Sequence, residues 1–201
     1  MRKILIGVVA LTAILGFSCV RTYNKLVGLD QKVQGQWAQV ENAYQRRADL
    51  VPNLVETVKG AAKFEQDTFT QVAEARSRAS QAASGAPGGP SNIPNDPGAL
   101  QNFQRAQEQL TSALSRLMVV VERYPDLKAT ANFRDLQAQL EGTENRIAVE
   151  RMRFNQVAQE FNTARNSFPT VAIAGLFGGR FSEKAYFKAQ AGAETAPRVK
   201  F

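Results

Sequence analysis

The chain has 201 residues, one Cys, no His and a formal net charge of +7. Hydrophobic residues at 44% and charged residues at 21% are the proportions of an ordinary folded protein, which excludes global disorder and a collagen-like fibre. The absent His and single Cys exclude a disulfide framework, a zinc site of the usual Cys/His kind, a Ser-His-Asp triad and a Cys-His dyad.

The first element is apolar. Residues 4–20, ILIGVVALTAILGFSCV, carry no charge over 17 positions and are flanked by Arg2, Lys3 and Arg21. A spanning helix needs roughly 17–25 apolar residues. The stretch therefore predicts a single-pass N-terminal anchor built on Ile4, Leu5, Ile6, Val8, Val9, Leu11, Ile14, Leu15, Phe17 and Val20. Two other readings compete. Ser18-Cys19 fits the end of a lipobox, which makes Cys19 a candidate for lipidation, although Gly16 and Phe17 suit its upstream positions badly. A cleaved signal peptide also has a short apolar core. Arg2 and Lys3 compete with Arg21, Lys25 and Lys32, so charge does not decide the orientation.

A helical body follows. Alternating steps of three and four from Leu26 meet Leu29, Val33, Trp37, Val40, Tyr44, Arg47, Val51, Leu54 and Val58, and continue through Val72, Ala75 and Ala79. This is the stripe of a helix packing on other helices. One helix along all of it would run about 80 Å, too long for a compact domain. Asp49 is a fit N-cap and Pro52 would then sit in a first turn, so a reversal is expected near Ala48–Asp49. Residues 84–98, SGAPGGPSNIPNDPG, read as a long loop. A third helix is expected from about Ala99 to Arg123, with Leu110, Leu114, Leu117, Met118 and Val121 inward, ending before Pro125. A fourth follows Phe133, Leu136, Leu140, Thr143, Ile147, Glu150, Phe154, Val157, Phe161, Ala164 and Phe168, and stops at Pro169. No alternating pattern of useful length suggests a strand. The expected fold is all-α: an antiparallel up-and-down four-helix bundle after a transmembrane helix. The expected regions are an anchor at 1–21, the bundle at 22–169 and a basic aromatic tail at 170–201.

In such a bundle the tail emerges on the membrane side. It carries Phe177, Phe181, Tyr186 and Phe187 among Arg180, Lys184 and Lys188. Aromatic and basic residues interleaved suit a lipid interface; the same aromatics also suit packing on the foot of the bundle. Six of the seven excess positive charges lie in 1–21 and 170–201, and the middle is nearly neutral. A nucleic-acid binder carries its basic stripe on the folded domain, so nucleic acid is not expected as a partner. Basic ends fit an anionic lipid surface, or simply a solvated tail.

Candidate chemistry is sparse. Glu141 and Glu144 share a helix face and would be the carboxylates of an enzyme or cation site, or just a solvated face. Di-metal bundles add Glu-x-x-His pairs, which need His. Glu150 lies on the apolar seam and, if buried, requires a paired charge, expected to be an Arg. Arg46, Arg47 and Asp49 crowd the expected turn, where Glu122, Asp126 and Asp135 would meet them. They form a candidate docking surface for a partner, or complementary helix ends. No catalytic residue, metal or cofactor is expected.

Three long strings resemble the LemA family of bacterial membrane-associated proteins: YNKLVGLDQKVQGQWAQVENAYQRRADLVPNLVETVKG (23–60), SALSRLMVVVERYPDLKA (112–129) and NFRDLQAQLEGTENRIAVERMRFN (132–155). The ending AETAPRVKF is similar to that family's usual terminus. The resemblance implies an N-terminal anchor, a four-helix bundle and a place in the bacterial membrane. It implies no assigned activity; family members are discussed near membrane proteases. Many carry a His directly before the Glu matching Glu65, where this chain has Phe64. The combined expectation is a non-catalytic, membrane-anchored interaction or scaffold protein whose partners are the lipid membrane and a protein or a second copy. The alternatives are a lipoprotein adaptor held through Cys19 and a carboxylate enzyme using Glu141 and Glu144.

Overall fold

A computed structural model describes residues 1–61, 65–85 and 89–188, the side chains of 11, 15, 61 and 91 excepted. Phe64 and the ending AETAPRVKF lie outside the described residues, as do the side chains of Leu11 and Leu15. The described residues are helical and contain no strand. In order they form α1 (Arg2–Ala61), α2 (Gln66–Ser84), α3 (Pro97–Glu122), α4 (Pro125–Lys128), α5 (Ala131–Asn166) and α6 (Thr170–Leu176). Two 3-10 turns, Pro90–Asn95 and Gly178–Phe181, complete the set.

Helix α1 has 60 residues, about 90 Å at 1.5 Å per residue. The reversal expected near Ala48–Asp49 does not occur; the chain turns back only after Ala61. Two effects carry the helix through Pro52. Val51, Leu54 and Val58 stay on the seam and are buried, so breaking the helix would expose them. And the Ala48 carbonyl, which loses its helical donor because proline has no N–H, accepts a hydrogen bond from Arg76 Nε of α2 at 2.8 Å.

Helix starts follow the expected chemistry. Asp96 caps α3, accepting from the Gly98 and Ala99 amides at 2.8 and 3.2 Å, with Pro97 at the first helical position. Thr130 caps α5, accepting from the Phe133 amide. The 84–98 segment, expected to be a loop throughout, holds the 3-10 turn Pro90–Asn95, anchored by the fully buried Ile93. It is entered through Gly89 at φ +82°, a conformation that favours glycine.

Packing pairs α1 with α5 and α2 with α3. Lys32 meets Glu160, Gln36 meets Glu150 and Arg47 meets Glu144, so α1 and α5 run in opposite directions. Arg116 on Gln71 and Arg123 on Glu65 give the same opposition for α2 with α3; α2 begins just after α1 ends, and its Arg76 reaches back to Ala48, so those two are opposed as well. The interior forms two apolar clusters. One joins Leu26–Tyr44 of α1 to Leu100, Phe103, Ile147, Phe154 and Phe161. The other joins Val51–Val58 to Phe69, Val72, Leu110–Val121, Leu127, Phe133 and Leu140. Of the fourth expected stripe, Phe168 departs: it is 88% exposed.

If Arg76 replaces the donor that Pro52 removes, Arg76→Ala lowers unfolding free energy by about 1–3 kcal/mol, the cost of an orphaned buried carbonyl. In a Pro52→Ala background the restored amide takes over and the loss shrinks well below that. Denaturant unfolding of the four chains of this cycle measures the difference; equal losses in both backgrounds refute the compensation.

Candidate functional site

The described apolar side chains at the start of α1 are uncovered until the helix reaches Cys19. Ile4, Leu5, Ile6, Val8, Val9, Ile14, Phe17 and Val20 are 55–73% exposed. This is the one described helix long and apolar enough to cross a membrane, and none of its apolar stretch is covered by the body. The body begins at Tyr23. There α5 has descended beside α1 until Ser167 lies near Lys25, and α6 carries the chain to the point where α1 leaves. Phe177 packs on Tyr23 with ring centres 4.8 Å apart, and Phe181 meets Tyr23 edge-on at 5.5 Å. Arg180 places its guanidinium 5.6 Å from the Tyr23 ring centre. Cys19, Val20, Tyr23 and Phe177 line an open apolar pocket of about 230 Å³. Cys19 is a half-buried free thiol in its wall. On the segment from the end of α5 through α6, Phe168, Val171, Leu176 and Phe177 leave large apolar side chains uncovered.

Beyond Phe181 the chain runs extended along the body as a strap. Side-chain amides hold its backbone much as a neighbouring strand would. Asn162 donates to the Lys184 carbonyl at 2.9 Å and accepts from the Lys184 amide at 2.8 Å. Asn155 does the same for Phe187, at 3.0 and 2.9 Å. Gln104 and Arg151 donate to the Lys188 carbonyl at 3.0 and 2.9 Å, and the Ala185 amide donates to Pro94 O. Phe187 stacks on Trp37 and meets Phe154 edge-on. The Lys184 ammonium is fully buried, ion-paired to Asp30, bonded to Asn95 and 4.6 Å from the Phe161 ring centre. The tail aromatics thus divide: Phe181 and Phe187 pack into the body, while Phe177 and Tyr186 stay partly exposed. Sequence reasoning missed the strap, since an extended segment held by scattered amides has no periodicity.

Between the two apolar clusters lies a polar layer. Arg47 is buried on the seam of α1. It donates to Glu144 Oε1 and Thr111 Oγ1, both at 2.9 Å, to the Gln107 carbonyl at 3.2 Å and to the Gln107 side chain. The expected cluster at a turn is therefore corrected. Arg47 belongs to the interior of a continuous helix and is not available to a partner. Arg46 and Asp49 are exposed on the same helix, Asp49 accepting from Gln45. The distal turn instead pairs Arg123 with Glu65 and Lys128 with Glu122, at 2.8 and 2.7 Å. Glu141 and Glu144 do not converge: Glu144 turns inward to Arg47, and Glu141 stays exposed beside Gln137. Glu150 is buried with the expected arginine, Arg153, at 3.2 Å, and accepts from Gln36 at 2.7 Å.

A groove of about 470 Å³ runs between α1 and α2, from Glu41 and Tyr44 across Ala79 and Ala83 to Phe103. Burial lifts the Glu41 carboxyl above the ordinary 4.5, opposed by the Trp37 side chain. Burial also lifts the Tyr44 phenol, opposed by Arg151 and Arg47.

The family model described as the LemA family matches residues 36–201. Magnetosome protein MamQ of Magnetospirillum gryphiswaldense is 28% identical over 201 residues, 94% of this chain and 73% of that protein. Magnetosome protein MamQ 2 of Paramagnetospirillum magneticum is 27% identical over the same shares. Protein LemA of Metamycoplasma hominis is 24% identical over 158 residues, 79% of this chain and 66% of that protein.

The polar layer is asymmetric, because Arg47 is buried and Glu144 is partly exposed. Glu144→Ala leaves the buried Arg47 charge unpaired and lowers stability, and Arg47→Met leaves the buried Gln107 side chain without its donor and costs about 1–3 kcal/mol; denaturant unfolding measures both losses. Glu41 gives a pH signature. Its folded pKa is raised, so its carboxylate opposes folding above the ordinary value and the penalty vanishes below it. Glu41→Gln raises the melting temperature at pH 7, and the gain closes as pH falls through the carboxylate range.

Proposed function

The chain belongs to the LemA family, and from that premise we propose that it is a single-pass, membrane-anchored helical scaffold without catalytic activity. In this reading residues 2–21 of α1 cross the bilayer, and the rest of α1 rises from the membrane as the first helix of an up-and-down four-helix bundle. Helix α2 returns, α3 rises and α5 returns. The opposed pairings of α1 with α2 and α5, and of α2 with α3, support this path.

One observation carries the proposal. A single helix has an uncharged, apolar surface over residues 4–20 and an apolar stripe from Leu26 to Val58. The stripe is covered by α2, α3 and α5; of the described apolar run, only the end at Cys19 and Val20 meets the body. Each large apolar side chain left in water forgoes roughly 2 kcal/mol, and a bilayer recovers it. A scaffold role is supported by what the interior holds. Its buried charges, Arg47, Glu150 and Lys184, are each spent on structural pairs, and Glu141 and Glu144 point apart.

Alkaline carbonate extraction of membranes from cells making the full chain tests the anchor. The full-length chain stays in the pellet; its release into the soluble fraction refutes the proposal. Replacing Val9 and Ile14 by Lys, at about 2.5–3.5 kcal/mol per charge in a bilayer, shifts it to the soluble fraction. Intact mass separates the lipid-anchored alternative, because a lipidated product begins at Cys19. Crosslinking in native membranes then identifies the protein partner or second copy that a scaffold requires.

A further inference from the structure

We infer that the foot of the body, from Phe168 through α6 to Phe177, is a second membrane contact whose apolar side chains sit in the lipid interface. The inference rests on the anchor reading above and adds to it a specific surface and a specific depth.

Depth follows from α1. Residues 4–20 span about 26 Å as a helix, close to the roughly 30 Å hydrocarbon core of a bilayer. With that run in the hydrocarbon, Val20 lies at its boundary and Arg21 and Tyr23 lie among the headgroups. The foot is fixed at the same level, because Phe177 packs on Tyr23 at 4.8 Å and shares one apolar pocket with Cys19 and Val20.

The chemistry of the foot matches that depth. Phe168 and Leu176 are 88% and 81% exposed, the most uncovered large apolar side chains in the body. Val171 and Phe177 are partly exposed beside them. Phe177 joins this segment to the apolar run, since it shares the pocket with Cys19 and Val20. Arg180 lies against Tyr23 on the body side, with Arg21 on α1. This is the arrangement of an interfacial segment: apolar side chains toward the acyl boundary, aromatic rings and guanidinium groups at headgroup level. A phospholipid interface with anionic headgroups is the occupant this composition fits.

Site-specific quenching in phosphatidylcholine–phosphatidylglycerol vesicles tests it with the full chain. In a Cys19→Ser background, single cysteines at Leu176→Cys, Phe168→Cys, Ile14→Cys and Val119→Cys carry an environment-sensitive dye. Val119 is exposed on α3, far from the foot. The labels at 168 and 176 are quenched severalfold more by lipid nitroxides placed near the headgroup than the label at 119, and are shielded from aqueous iodide. Foot labels as open to iodide as the one at 119 overturn the inference. Shielding from iodide without lipid quenching also overturns it, and assigns the foot to a second copy or another protein. The label at 14 separates the two levels: deep-nitroxide quenching there with none at the foot refutes the foot alone, and none at either refutes the anchor as well. Two foot positions guard against one substitution disturbing the fold.

Discussion

Pro52 removes an amide from the middle of α1, and the guanidinium of Arg76 fills the gap it leaves on the Ala48 carbonyl at 2.8 Å. The length of α1 depends on that exchange. A proline inside a helix costs about 3 kcal/mol when its lost bond goes unanswered, enough to favour a turn where Asp49 stands ready to cap one. With the carbonyl satisfied, Val51, Leu54 and Val58 remain on the seam that begins at Leu26. Both apolar clusters draw on that one seam, so α5 finds a single unbroken partner along its length.

The seam is not uniform, and its polar layer at Arg47 has a geometric consequence. Arg47, Gln107 and Glu144 come from three helices and meet between the two apolar clusters. A slip of one heptad along any of the three would bury a charge against leucine or phenylalanine. Apolar layers tolerate such slips, whereas a buried arginine whose partners come from two other helices does not. We read the layer as a register device, of the kind a single polar seam position supplies in coiled coils. Lys184 with Asp30 and Asn95 acts likewise for the strap, fixing where the extended segment lies against α1 and the Pro90–Asn95 turn.

Periodicity made most of the body legible. The stripes of α1, α3 and α5 were readable because burial of one helix face repeats at three and four, and nearly every residue they name is buried. What escaped was decided by partners distant in sequence. Asp49 and Pro52 are good local signs of a helix start, and only Arg76, arriving from another helix, cancels them. Phe168 continues the spacing of α5 yet lies past its end, where the seam has no facing helix. The strap is held by Asn155, Asn162 and Gln104, whose amides carry no pattern in a single sequence. Arg47 falls on the seam by its spacing, and its burial depends on the helix continuing past Asp49.

On the anchor reading proposed above, these features bear together on how the molecule would meet a membrane. A helix that passes from lipid into a packed body without a break has no hinge at the boundary, and bending it there requires a cause such as proline, a π-bulge or an inserted side chain. None of these lies between Val20 and Leu26, where the helix is regular. Tilt of the anchor is therefore tilt of the body, and the reverse. The second contact proposed at the foot, beside α1 where Phe177 meets Tyr23, would add a second point of attachment. It would resist tilt that lifts the foot from the interface, while rotation about the membrane normal stays free. For a scaffold of the kind proposed, partners in the same membrane would meet α3, α5 and the strap at a constant height, and part of the entropy of aligning them would be lost once, on insertion, rather than at each encounter.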